Sequence, residues 1–183
     1  RDIMKATAMV AHPDDCVIFA YSFMHAYPEL EWTVCYLTYT ADDYRGSELK
    51  GFWDSRGIKT KFLGYVDDWH DIENKKISFD EAHAWIDIQE SVSDQDIVLT
   101  HDSSGDYGHL HHVFVHNAVL DCHPTAITFS KIGEGNARFV IPAGTYTLDE
   151  LPEHGTIIAG FHSKEHANEY FIPDSVKELL NRS

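Results

Sequence analysis

Several things are scarce in this sequence, and each scarcity excludes something. Cysteine occurs three times, at Cys16, Cys35 and Cys122, an odd number spread along the chain. That argues against a disulfide framework and for a reducing compartment. Basic residues are few: 14 Lys and Arg stand against 30 Asp and Glu, a formal net charge of -16. Such a chain repels phosphate backbones and anionic bilayers, so neither nucleic acid nor a membrane surface is an expected partner. No apolar run approaches the roughly 18 residues of a membrane span. The first residues lack a charged-then-apolar leader pattern, so the expected location is cytoplasmic. What is present in quantity is apolar and aromatic residues, 43% and 13% of 183 positions, and 13 histidines. The first two figures are enough for a real core, and a single domain over 1–183 is expected.

The apolar pattern switches repeatedly between strand and helix periods. Residues 4–10 (MKATAMV) read as a short buried strand, and 15–27 as a helix with Asp14 or Asp15 near its start. Residues 31–40 (EWTVCYLTYT) are β-branched and aromatic, a second strand. A helix over 46–57 closed by Gly57 and a strand over 58–64 follow. Residues 78–92 open with a Ser78-to-Glu81 capping box and continue at helical spacing. DIVLT (96–100) reads as a strand, HLHHVFVHNAVLDC (109–122) as a helix and TAITFS (125–130) as a strand. Beyond residue 131 the pattern weakens, with helices expected near 163–170 and over 174–182. Alternating strands and helices predict an α/β fold, a mostly parallel sheet with helices on both faces.

In such sheets, sites gather beyond the C-terminal ends of the strands. Two polar clusters fall there: His12-Pro13-Asp14-Asp15 after the first strand, and THDSSGDYGHLHHVFVH from Thr100. A divalent ion at a hydrolytic site wants about three protein ligands and one open position. His12 and Asp15, three apart across a strand-to-helix turn, suit two of them. The third falls to the second cluster, where His109 and His112 share a helix face, with His116 also in reach and His111 pointing elsewhere. Asp14 is then left as a general base for a water whose pKa the ion lowers. Taken singly, each cluster has an ordinary structural reading: a helix cap, or a solvated helix face. Their pairing at two strand ends favours a metal site.

These residues resemble a known family. Ala11-His12-Pro13-Asp14-Asp15 is similar to the signature of the PIG-L, or LmbE-like, deacetylases, whose next residue is usually Glu where this chain has Cys16. Tyr107-Gly108-His109-Leu110-His111-His112 resembles the family's Tyr-Gly-His-Pro-Asp-His. Arg45-x-x-Glu48 and FLGYVDD (62–68) are softer matches, and together the matches run in family order over residues 4–116. The resemblance implies a Rossmann-like fold and zinc-dependent removal of an acetyl group from an N-acetylated amino sugar or similar small amide. It implies zinc ligands at His12, Asp15 and His112, with Fe2+, Mn2+ or Co2+ as alternative ions. Asp14 matches the general base, His109 the histidine serving the intermediate or leaving amine, Tyr107 a carbonyl-polarising tyrosine and Arg45 a substrate contact.

Two departures matter. His111 replaces an aspartate that orients a neighbouring histidine, so His109 is expected to be less basic unless Asp102 or Asp106 substitutes. Cys16 lies near the expected ion and reads as packing. They leave two other readings: a metal- or sugar-binding module with impaired catalysis, and a hydrolase of another amide or an ester. Trp53, Trp69 and Tyr146 are aromatic candidates for substrate contact.

Overall fold

The computed structural model describes residues 3–130, 138–142 and 172–181. Strands β1 (Lys5–Val10), β2 (Glu31–Thr38), β3 (Lys59–Tyr65), β4 (Ile97–His101), β5 (Ile127–Ser130) and β6 (Phe139–Pro142) form one sheet. Its order is β3-β2-β1-β4-β5-β6 and every neighbouring pair is parallel. Parallel strands need crossovers, and these are helical. Helix α1 is wound as a π-helix over Cys16–Ala20 and as an α-helix over Tyr21–Ala26. The others are α2 (Tyr44–Asp54), α3 (His70–Asn74), α4 (Glu81–Val92), α5 (Leu110–Cys122) and α6 (Asp174–Asn181).

Strand periodicity sends alternate side chains to two cores. Ala6, Ala8 and Val10 of β1 and Trp32, Val34 and Tyr36 of β2 join the face covered by α1, α2 and α6. Met9, Cys35 and Leu37 join the opposite face, under α4 and α5. Strands buried on both sides read as near-continuous apolar runs, which is why β1, β2 and β4 stand out in the sequence.

The strand order reverses direction between β1 and β4. Chain leaving β1 turns toward β2, chain leaving β4 toward β5, and a crevice opens between them. Both polar clusters lie at that point.

Several boundaries differ from the sequence expectation. Helix α4 is capped by Asp80, whose carboxylate accepts from the His83 N–H, and not by Ser78. The Ser78 N–H instead donates to Asp71. Helix α2 begins at Tyr44, two residues early, because Asp43 caps it through the Gly46 N–H. Gly46 is required there, since a Cβ would stand 1.8 Å from the Thr40 carbonyl oxygen. Neither Asp14 nor Asp15 caps α1 with its side chain; the Asp15 carboxylate turns back to accept from the His12 N–H at 2.9 Å. The helix expected near 163–170 and Tyr146 lie outside the described residues. Among the described residues, no helix is long and apolar enough to cross a membrane.

Candidate active site

The end of β1 delivers His12, Asp14 and Asp15, all buried. The end of β4 delivers His101, fully buried, followed by the turn Gly105–Gly108 and helix α5. Gly105 takes a φ of +70°, and a Cβ there would stand 2.7 Å from Val113 Cγ2, so the turn lies tight against α5. Asp106 also has a positive φ, 68° with ψ -69°, a conformation costly for a residue with a Cβ. The local shape aims its carboxylate inward: Oδ2 lies 2.6 Å from His101 Nδ1 and 2.7 Å from His112 Nδ1. Its Oδ1 is buried with no partner among the described residues.

Three atoms converge below the crevice. His112 Nε2 stands 3.1 Å from Asp15 Oδ2 and 3.2 Å from His12 Nδ1, and His12 Nδ1 stands 3.3 Å from Asp15 Oδ2. A tetrahedral ion with ligands at about 2.0–2.1 Å spaces its ligand atoms about 3.3–3.4 Å apart. The triangle therefore fits one face of such a site. The outer nitrogens fit as well. With His112 Nδ1–H donating to Asp106, its Nε2 lone pair is free for an ion, the usual support for a metal-binding imidazole. His12 has partners beyond its Nε2, His111 Nδ1 at 2.9 Å and Asp67 Oδ1 at 3.3 Å.

Charge in the cluster follows from the geometry. Burial alone would lower the His12 pKa, but the Asp15 charge and hydrogen bonds to Asp15 and Asp67 push it up to about 10. His112 is raised against burial in the same way, by Asp15 and Asp106. Asp15 is held well below the usual carboxylate range, against burial, by the charges of His112 and His12. His101 accepts the Ala11 N–H at Nε2, so its Nδ1–H donates to Asp106. Burial and the neighbouring His112 charge lower its pKa.

His109 precedes α5 and caps it: its Nδ1 accepts the His111 N–H at 3.1 Å. Nε2 then carries the proton of the neutral ring, and the ring lines the crevice. Burial first, then the charges of His12, His112 and His111, push its pKa down to about 3. The direction matches the lowered basicity expected at His109, but His111 is the smallest of the three charge contributions. Neither substitute carboxylate reaches His109. Asp106 serves His101 and His112, and Asp102 accepts from Ser104.

Two expectations about the second cluster are corrected. His111 does not point away from the site toward solvent: it is fully buried, between His12 and Asp71. His116 does not share the site face; its Nδ1 donates to the His101 carbonyl. Cys16 is a packing residue, its Sγ 3.7 Å from Met24 Sδ, and burial followed by the Asp15 charge raises its pKa and disfavours a thiolate.

A crevice of about 210 Å³ opens over the triangle, lined among others by Asp14, Arg45, Asp67, Trp69, Tyr107 and His109. Arg45 Nη2 lies 3.0 Å from Asp14 Oδ1, and its Nη1 lies 2.7 Å from the Tyr39 hydroxyl and 3.4 Å from Asp67 Oδ2. Asp14 belongs to none of the three His/Asp groups among the described residues that could hold an ion: His12-Asp67-His109-His111, His12-Asp15-His112 and His101-Asp106-His112. Trp69 is 62% and Tyr107 51% exposed at the crevice mouth, whereas Trp53 is core. The sequence reading missed His101, Asp67 and Asp71. His101 directly follows a predicted strand, and Asp67 is the last residue of Leu63-Gly64-x-x-Asp67, so both carried a signal; Asp71 carried none.

Comparison with known proteins gives the family and the fold. The family described as PIG-L: GlcNAc-PI de-N-acetylase matches residues 7–123. Among curated proteins, none matches the chain. A deacetylase of the teicoplanin biosynthesis pathway, solved as a bog complex, is 15% identical over 65% of this chain and 62% of its own, with a TM-score of 0.52. A deacetylase–teicoplanin complex from that pathway is 13% identical over 65% of each chain, with a TM-score of 0.50. The 4-carboxy-2-hydroxymuconate hydratase GalB of Pseudomonas putida KT2440 is 17% identical over 66% of this chain and 55% of its own, with a TM-score of 0.48. The likeness to the two deacetylase structures shows a shared fold. The chain thus spans between 55% and 65% of the length of these solved proteins.

Proposed function

The chain belongs to the PIG-L family, and from that premise we propose that it is a metal-dependent N-deacetylase acting on an N-acetylated amino sugar or a related small amide. The observation that carries this reading is the triangle of His12 Nδ1, Asp15 Oδ2 and His112 Nε2 beneath a crevice that also holds Asp14 and His109. The three form the ion's ligand set in this proposal, and zinc suits two imidazoles and a carboxylate, with Fe2+, Mn2+ and Co2+ also accepted by such a set.

When bound, the ion supplies Lewis acidity, lowering the pKa of a water and polarising a carbonyl. The chain's own residues do the rest. Asp14 takes a proton from the attacking water, whose oxygen bonds to the acetyl carbon. Arg45 holds the Asp14 carboxylate at 3.0 Å and fixes its orientation. Asp14 then passes that proton to the amide nitrogen as the C–N bond breaks, giving acetate and a free amine, while the His109 Nε2–H donates a hydrogen bond to the developing oxyanion. A neutral imidazole can donate that hydrogen bond without giving up its proton, and its Nδ1 is occupied by the helix, so the tautomer is set. Tyr107 and Trp69, at the mouth, contact the part of the substrate beyond the amide. This assigns one domain to 1–183 and a small-molecule substrate.

The test is acetate release from N-acetylglucosamine by the full chain loaded with zinc. Activity lost to a chelator and restored by zinc is the expected result. Equal turnover by metal-free protein overturns the reading.

A further inference from the structure

His111 and Asp71 have no role in the steps above, yet both are buried, at 0% and 2% exposure. His111 Nε2 lies 2.8 Å from Asp71 Oδ2, and His111 Nδ1 lies 2.9 Å from His12 Nε2. Asp71 also accepts the Ser78 N–H at 3.2 Å. A carboxylate that accepts from two sides is acceptor-only, and this sets the direction of the whole chain of bonds. His111 must donate from Nε2, so its Nδ1 is an acceptor. His12 must then donate from Nε2, which frees its Nδ1 lone pair toward Asp15 and His112. Run the other way, the bonds would put the His12 proton on Nδ1, inside the triangle.

We propose that Asp71 and His111 are a two-residue positioning relay that fixes the tautomer and ring orientation of His12 as a metal ligand. The inference rests on the ligand set proposed above. Metal-binding imidazoles usually meet a carboxylate or carbonyl directly at the outer nitrogen. Here an imidazole is interposed, and the carboxylate acts through it. An aspartate at position 111 would offer Oδ1 where His111 offers Nδ1, since both atoms stand two bonds beyond Cβ. Asp67 Oδ1, at 3.3 Å from His12 Nε2 and 3.6 Å from His111 Nδ1, is the competing acceptor. It is farther than His111, and the carboxylate's other oxygen, Oδ2, accepts from the Tyr39 hydroxyl at 2.8 Å.

The experiment measures zinc affinity of the metal-free full chain by chelator competition, together with the ¹⁵N shifts of His12 in the zinc-loaded protein. Asp71→Ala is expected to weaken zinc binding by about 10- to 100-fold, the usual effect of removing an outer partner. Adding His111→Asp in the Asp71→Ala background is expected to recover most of that loss, with His12 Nε2 protonated as in the wild type. The missing Ser78 bond is common to both variants, so the rescue isolates the relay from the fold. Unchanged affinity in Asp71→Ala, or no rescue in the double variant, overturns the relay and leaves the deacetylase reading intact. Two zinc ions per wild-type chain with His12 Nε2 as a ligand also overturns it. Zinc-binding wild type without amide hydrolysis overturns the proposed function and leaves the relay standing.

Discussion

Metal binding to this site should release protons, and the geometry sets how steeply. In the metal-free protein the His12 pKa is pushed up to about 10 by Asp15 and Asp67 despite burial. At pH 7 the proton on Nδ1 has to leave before that nitrogen can ligate. Removing it costs about 4 kcal/mol, three pH units at about 1.36 kcal/mol each. Apparent affinity should therefore rise about tenfold per pH unit for this proton alone, or roughly a hundredfold between about pH 6.5 and 8.5. His112 is also raised, by Asp15 and Asp106 against burial, so the slope should lie between one and two protons. The assay is chelator competition across that range, corrected for the chelator's own protonation, with calorimetry in two buffers of different ionisation enthalpy. The stability consequence has a defined sign. The raised His12 contributes to the metal-free fold fully below about pH 6.5 and loses that contribution as pH climbs through about 10. The depressed Asp15 contributes above about pH 4 and loses it as pH falls. A flat affinity profile with no proton release would refute the charge assignment of the cluster.

Two other outcomes are expected. The His109 ring should show no titration between about pH 5 and 9 by NMR, because its pKa is held near 3; His109→Ala should keep the metal, cut kcat by about 10²-fold or more and cost about 1 kcal/mol of stability as a lost helix cap. A titration inside that window contradicts the assignment. Gly105→Ala forces a Cβ to within 2.7 Å of Val113 Cγ2 at a φ of +70°, and the left-handed conformation alone costs about 1–2 kcal/mol, so Tm should fall by several degrees; an unchanged Tm would show that the turn relaxes freely.

The core strands were legible because a parallel sheet buries both faces of β1, β2 and β4 and leaves unbroken apolar runs. His12, Asp15 and His112 were legible because they sit in two short motifs at strand ends. Spacing alone, however, leaves His109 and His112 equivalent as candidates for a third ligand. Structure separates them: His109 lies outside the helix as its cap, and His112 is in its first turn. His111 was misread for a related reason. Helix α5 buries Phe114, Val115, Ala118 and Val119 together with His111, His112 and His116, so it has no polar face against which to read a periodicity. Asp71 was invisible because its partner is 40 residues away, and only the fold joins them. The same carboxylate captured the Ser78 N–H and moved the cap of α4 to Asp80.

The central claim divides two adjacent carboxylates between two tasks, Asp15 as ligand and Asp14 as base, and one paired measurement tests it. Zinc content and acetate release are measured side by side for wild type, Asp14→Asn and Asp15→Asn. The account predicts that Asp14→Asn keeps about one zinc per chain and loses about 10²- to 10⁴-fold in kcat, the usual worth of a general base. Asp15→Asn should lose the metal. Equal metal loss in both variants, or an Asp14→Asn protein with full activity, would contradict it.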